Sequence, residues 1–148
     1  MGTVFGCPAM ATTLLPGRPL LAPRDPIAWG RQLARALAAI HLNALTGIDV
    51  GFLPCLEAWL NTMLASESSR RRVAEHPDGE SVWSALQRCR PYPPVVSSTL
   101  VHGDYWVGNT LWQGGRLTGV VDWSDAFLGD PAADVGYCRT GLASIWWA

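Results

Sequence analysis

The stretch of residues 90–94, which contains three prolines, divides the chain into two parts with different hydrophobic periods. Proline lacks a backbone donor and clashes with the preceding helical turn, so a regular helix is not expected to run through this stretch. Apolar residues recur at helical spacing before it, and they form short runs typical of β-strands after it. The sequence therefore predicts an α+β chain, with helices first and a small β-region afterwards.

The strongest helix signal begins at Asp25, which is followed by Pro26. An Asp at the N-cap and a Pro at the first helical position are a common start of a helix. Apolar residues then follow at helical spacing, which predicts a helix over residues 27–43. Shorter apolar faces predict two further helices, over residues 53–64 and 82–89.

Three short strands are predicted after the prolines, over residues 98–102, 109–112 and 117–123. The two glycines at 114–115 indicate a tight turn that joins the last two strands into a hairpin. Asp130, which is followed by a proline, repeats the helix-start signal, so another helix is predicted directly after it.

Composition argues against several classes of partner. The formal net charge of -1 gives no electrostatic reason to bind nucleic acid or an anionic membrane. No apolar run approaches the roughly 20 residues that a membrane span requires. The four cysteines are far apart and form no C-x-x-C pair, so we interpret them as free thiols in a reducing cytoplasm. The sequence leaves the oligomeric state open.

Three oxygen-bearing side chains in the β-region have a spacing suited to phosphoryl transfer, namely Asp104, Asn109 and Asp122. Transfer from ATP requires a carboxylate that accepts the proton of the incoming hydroxyl, and oxygen ligands that hold Mg²⁺ against the phosphates. Asp104 fits the role of the base. Asn109 and Asp122 fit the role of metal ligands, because the hairpin turn can fold Asp122 back beside Asn109.

The same residues belong to a longer pattern. A His-Gly-Asp motif at residues 102–104 is followed by Asn109 and by an apolar-Asp-Trp strand at residues 121–123. This pattern resembles the aminoglycoside phosphotransferase and choline kinase family, whose catalytic loop is similar to that of protein kinases. Residues 129–136 resemble the family's segment after the metal-binding Asp, and residues 14–19 resemble its connector between lobes.

The resemblance implies a protein-kinase-like C-terminal lobe that is mainly helical and holds a small β-hairpin. On this basis residues 1–19 are a remnant of the connector between lobes, and residues 20–148 are a partial C-terminal lobe. The chain has no Lys and no G-x-G-x-x-G loop, which the family's N-terminal lobe is expected to use on the nucleotide. We therefore expect a chain that lacks the N-terminal lobe, is truncated at both ends and transfers phosphate poorly by itself.

The resemblance also implies an ATP-dependent small-molecule kinase, which moves the γ-phosphoryl group to a hydroxyl group of its substrate with Mg²⁺ as cofactor. It assigns catalysis to Asp104 and the metal to Asn109 and Asp122. Two further groups of residues are implied: nucleotide contacts at Thr13, Leu14, Leu111 and Val121, and structural supports of the site at His102, Asp130 and Asp134.

Two other interpretations stay open. The chain could be a catalytically inactive remnant or binding module of the same fold. It could also be a metal-dependent phosphoesterase, since the Gly-Asp and Gly-Asn pairs at residues 103–104 and 108–109 are similar to loops of such enzymes. Those enzymes also use an Asp-x-His pair, which this sequence lacks. The sequence does not identify the acceptor, so choline, homoserine, a sugar, an aminoglycoside and a macrolide are all candidates.

Overall fold

The computed structural model describes residues 2–4, 6–9, 12–42, 45–89 and 99–146. Within these residues the chain forms five α-helices and three two-stranded antiparallel sheets. The helices are α1 (Pro26–His41), α2 (Leu56–Ala65), α3 (Glu67–Ala74), α4 (Gly79–Arg88) and α5 (Ala132–Trp146). The strands are β1 (Gly2–Val4), β2 (Cys7–Ala9), β3 (Thr99–Val101), β4 (Thr110–Gln113), β5 (Arg116–Val120) and β6 (Phe127–Gly129). This architecture confirms the predicted α+β fold class.

The helices before residue 90 follow the predicted pattern, with shifts at their ends. The Asp25 carboxylate caps α1 by accepting a hydrogen bond from the Ala28 backbone N–H at 2.9 Å. α1 ends at His41, two residues before the predicted end. α2 begins at Leu56, three residues later than predicted, because the residue before Pro54 is disfavoured in a helical conformation. The polar segment that follows adds α3, whose arginines are exposed.

The predicted hairpin is confirmed. β4 pairs with β5 around two glycines, Gly114 and Gly115, which both have positive φ angles. The prediction that the second strand reaches Trp123 is wrong, since β5 ends at Val120. Asp122 lies beyond this end with a φ of 64°, a left-handed conformation that does not continue a strand.

Two strand pairings were not predicted. β3 pairs with β6, so the strand predicted near residue 100 has a partner. β6 has three residues, which is too few for a hydrophobic period to reveal it. β1 pairs with β2 around Gly6, within the segment that the sequence analysis assigned to an inter-lobe connector.

α1 packs across the β4–β5 hairpin and the loop that precedes it. The rings of Trp29 and Trp112 stack with their centroids 5.7 Å apart, and the Tyr105 hydroxyl donates to the backbone oxygen of Leu33 at 2.9 Å. The Gln32 side chain joins α1 to the hairpin: its Nε2 donates to the Gly115 backbone oxygen and its Oε1 accepts from the Leu117 backbone N–H, each at 3.0 Å. The buried members of this core are Trp29, Leu33, Leu37, Tyr105, Val107 and Trp112.

The segment before α1 lies along the hairpin. Arg18 and Trp112 exchange two backbone hydrogen bonds, at 3.2 and 2.9 Å, which form a short antiparallel bridge. The Thr118 hydroxyl donates to the backbone oxygen of Pro16. These contacts fix where the chain passes from its first residues into the helical part.

The helices and cysteines among the described residues bear on two predictions from composition. No helix among them has the length and apolar character that crossing a bilayer demands. Of the four cysteines predicted to be free thiols, Cys55, Cys89 and Cys138 are free, and the side chain of Cys7 lies outside the described part of the structure. Burial, together with the nearby Asp134 carboxylate, raises the pKa of Cys138, which keeps this thiol protonated at neutral pH.

Candidate active site

The loop after β3 is held by one buried carboxylate, that of Asp134 in the first turn of α5. Its Oδ2 accepts the backbone N–H of His102 at 2.9 Å, and its Oδ1 accepts that of Gly103 at 3.0 Å. The Nε2 of His41, at the end of α1, lies 2.9 Å from the same Oδ2. Because Asp134 is fully buried, these contacts replace the water that it loses. Asp130, four residues earlier, is exposed and caps the start of α5.

Gly103 lets the loop approach the segment after β5 closely. Its φ is 82°, in the region that favours glycine. A Cβ at this position would collide with the backbone oxygen of Asp125. The His-Gly-Asp motif therefore needs its glycine for two reasons, backbone conformation and space.

The buried ring of His102 links the loop to the end of the hairpin. Its Nδ1 lies 3.3 Å from the Asp104 backbone nitrogen, and its Nε2 lies 2.9 Å from the Val121 backbone oxygen. A backbone N–H donates and a carbonyl oxygen accepts, so the tautomer with its hydrogen on Nε2 satisfies both contacts. The ring of Trp123 lies beside it, with the centroids 4.5 Å apart. His102 thus sets the distance between Asp104 and the two neighbours of Asp122, Val121 and Trp123.

Asp104 and Asn109 meet across the loop. The Asn109 Nδ2 donates to the Asp104 Oδ2 at 2.8 Å and to the Asp104 backbone oxygen at 3.0 Å. A 3₁₀ turn, Val107–Asn109, brings the amide to this position. Because Nδ2 is committed to Asp104, the amide orientation is fixed, and Oδ1 is the atom left to act as a ligand.

Asp122 is tied to this pair through the backbone. The Val121 N–H donates to the Asn109 backbone oxygen at 2.9 Å, so Asp122 directly follows a residue bonded to Asn109. Its exposed carboxylate accepts a hydrogen bond from the Ser124 hydroxyl at 2.9 Å. Within the described residues, no three His, Cys, Asp or Glu side chains form a cluster that could hold a metal. A metal at Asn109 and Asp122 would therefore complete its shell with water or phosphate, as Mg²⁺ commonly does.

A cavity of about 720 Å³ opens beside Asp104. Asp104 and Trp106 line one side, and α5 lines the other side through residues that include Gly136, Tyr137 and Thr140. The volume suits a small molecule of drug size. Tyr137 was not predicted as a site residue, although its three-residue spacing from Asp134 on one helix is a signal that places the two side chains on neighbouring parts of one face.

The four predicted nucleotide contacts fall into two pairs. Thr13 and Leu14 are exposed, and Leu14 retains 96% of its accessible surface. Leu111 and Val121 are half-buried, on the hairpin and just beyond it. Leu15 packs against the strand that pairs with Leu111, which brings the first pair near the hairpin. The nucleotide role of all four stays a prediction.

The whole chain is similar to proteins of one family. A family model described as the phosphotransferase enzyme family, APH, matches residues 2–148. Viomycin phosphotransferase from Streptomyces vinaceus is 44% identical over 46 residues, which are 28% of this chain and 16% of that protein. The aligned segment is thus a short part of both proteins.

Solved structures extend the similarity to the fold. A thermostable mutant of aminoglycoside phosphotransferase APH(4)-Ia is 25% identical, with a TM-score of 0.56 over 90% of this chain and 50% of that chain. A complex of such a mutant with ADP and hygromycin B gives a TM-score of 0.52 at 24% identity, over 84% and 47% of the two chains. The macrolide 2′-phosphotransferase MphH from Brachybacterium faecium gives 0.55 at 24% identity, over 90% and 53%.

The chain therefore spans about half the length of these solved structures. The similarity nevertheless runs through α1, the hairpin and α5, because the family match covers residues 2–148. The chain belongs to the phosphotransferase enzyme family and has the kinase-like fold of the aminoglycoside and macrolide phosphotransferases.

Proposed function

We propose that the chain transfers the γ-phosphoryl group of ATP to a hydroxyl group of a small molecule. The observation that carries this proposal is the Asp104 carboxylate, which Asn109 holds at 2.8 Å on the wall of the cavity beside α5. The complex of the APH(4)-Ia mutant with ADP and hygromycin B supports a nucleotide and a hydroxyl-bearing acceptor as the two substrates.

Asp104 is the proposed base. Its carboxylate lines the cavity, where the hydroxyl of a bound acceptor can reach it. The Asn109 amide donates to one carboxylate oxygen, Oδ2, so the other oxygen is available to accept the acceptor's hydrogen. A carboxylate in this position orients the hydroxyl and takes its proton as the bond to phosphorus forms.

Asn109 and Asp122 are the proposed ligands of Mg²⁺. An amide oxygen and a carboxylate are hard donors that suit this ion. The backbone bond between Val121 and Asn109 keeps the two ligand residues at a constant spacing. The ion, when bound, neutralises charge on the transferred phosphate.

We also infer that residues 20–148 supply part of the catalytic lobe, and that residues 1–19 supply part of a connector to a nucleotide-binding lobe. The backbone bridge between Arg18 and Trp112 supports this division, because it docks the connector on the hairpin. The proposed nucleotide contacts are then Thr13, Leu14, Leu111 and Val121. The cytoplasm, which supplies ATP and Mg²⁺, is the proposed location.

A binding module without activity is the second candidate, and one feature of the composition favours it. The chain contains no Lys, whereas kinases of this kind place a Lys on the nucleotide phosphates. We therefore expect the purified chain to transfer phosphate slowly.

A phosphotransfer assay separates the two candidates. The chain is incubated with γ-labelled ATP, Mg²⁺ and a panel of aminoglycosides, macrolides, choline, homoserine and sugars, and labelled product is measured. We expect slow transfer by the natural sequence, reduced about 100-fold or to background by Asp104→Asn, since the base is lost. Asp49→Asn, in an exposed turn, is the control and should leave transfer unchanged. No product at all would favour the binding module, and product that does not depend on Asp104 would contradict its role as the base.

A further inference from the structure

Tyr137 lines the same cavity as the proposed base. Asp104 and Tyr137 both line it, and Tyr137 follows Asp134 by three residues in α5. Asp134 is fully buried and holds the loop backbone, whereas Tyr137 is 47% exposed. One turn of α5 therefore carries both the anchor of the loop and a phenol that reaches the cavity.

The pKa of Tyr137 agrees with a position of its phenol beside Asp104 on the wall of this cavity. Burial raises the pKa of Tyr137 most, and the Asp104 charge and a side-chain hydrogen bond to Asp104 raise it further. Asp125 also raises this pKa, and Arg72 lowers it. The phenol is protonated at neutral pH, so its hydroxyl can donate a hydrogen bond to the Asp104 carboxylate.

We propose that Tyr137 is a positioning residue, whose hydroxyl holds the Asp104 carboxylate toward the cavity. The inference rests on the proposed function of Asp104 and adds a residue to the same site. Asn109 holds the carboxylate from the loop side through Oδ2, and Tyr137 holds it from α5. A carboxylate with donors from two elements has little freedom to rotate, which orients it in advance for an acceptor hydroxyl.

Tyrosine ionisation in the whole chain tests this contact. Labelling tyrosine Cζ with ¹³C gives an NMR signal for each tyrosine, and Tyr137→Phe identifies the signal of Tyr137. We expect the titration midpoint of Tyr137 to move down in Asp104→Asn, which removes the charge of its hydrogen-bond partner. It should move down less in Asp125→Asn, because Asp125 acts on Tyr137 through its charge alone. A midpoint that Asp104→Asn leaves unchanged, or that both variants lower equally, would overturn the proposal.

A second measurement avoids high pH, where the chain could unfold before the phenol titrates. The ¹³C signal of the Asp104 carboxyl carbon should shift at neutral pH in Tyr137→Phe. Thr140→Val is the matched control, because it removes another hydroxyl from the same cavity wall, one that bonds to Gly136 instead. An unchanged Asp104 signal in Tyr137→Phe, or a shift in the control that is as large or larger, would overturn the proposal. Neither measurement needs turnover, so a negative phosphotransfer assay would reject the proposed function while these signals still decide the contact.

Discussion

Replacing Asp134 with alanine is expected to lower the free energy of unfolding by about 3–5 kcal/mol, because it leaves several buried partners without their acceptor. The backbone N–H groups of His102 and Gly103 lose the oxygens that they contact, and so does the ring of His41. Urea denaturation followed by circular dichroism at constant pH measures the change. A loss of this size would establish Asp134 as the anchor of the whole loop.

Asp130→Ala is the matched control for this prediction. The Asp130 carboxylate is exposed and accepts the Ala132 backbone N–H at 2.8 Å, so its removal is expected to lower the free energy of unfolding by about 1 kcal/mol, as for other helix caps. Asp134→Asn keeps one acceptor oxygen and should fall between the two alanine variants. Equal losses for Asp130→Ala and Asp134→Ala would contradict the anchoring role.

The second large effect is expected at Gly103, where alanine should lower the free energy of unfolding by about 3 kcal/mol. The left-handed backbone accounts for about 1–2 kcal/mol of this, and the collision of the new Cβ with the Asp125 backbone oxygen adds the rest. In molecules that still fold, the loop must move and carry Asp104 with it. A displacement of about 1 Å at a reacting group can reduce a rate by about 100-fold, which the phosphotransfer assay would detect.

Gly114→Ala separates backbone strain from the close approach. Gly114 also has a positive φ, 57°, but a Cβ there meets no atom within 4 Å. Its replacement is therefore expected to lower the free energy of unfolding by about 1–2 kcal/mol, the cost of the conformation alone. If alanine were tolerated equally at positions 103 and 114, the tight passage of the loop past Asp125 would be disproved.

Short sequence motifs of adjacent residues predicted much of the fold. Asp25 before a proline marks the start of α1, and the glycines at 114–115 mark the turn between β4 and β5. Features without a local signal were missed. β6 is three residues long, and its pairing with β3 depends on the tertiary structure rather than on a period in the sequence.

In the candidate site, too, contacts between residues close in sequence could be predicted, and contacts between distant residues could not. Asp104 and Asn109 lie five residues apart on one loop, and their meeting could be expected from that spacing. The partners of Asp134 lie more than 30 residues earlier in the chain, so no local pattern could identify them. Asp122 lies beyond the end of β5 because its backbone is left-handed. Asparagine and aspartate adopt this conformation more often than most residues, but their presence alone does not predict it.

Manganese titration tests most directly the central claim, that Asp104 is the base and that Asn109 and Asp122 hold the metal. Mn²⁺ replaces Mg²⁺ as the probe, and the electron paramagnetic resonance signal of the free ion reports its binding to the whole chain and to three variants. Binding is expected to be weak, because two protein ligands leave most of the shell to water.

Asp122→Asn should weaken Mn²⁺ binding most, because it removes a charge from the ion's shell. Asn109→Ala should weaken it less, since an amide contributes a dipole, and Asp104→Asn should weaken it least, since its carboxylate faces the acceptor hydroxyl. We predict this order of Mn²⁺ affinities. Weakening by Asp104→Asn as large as that by Asp122→Asn would contradict the division of roles between base and metal ligands.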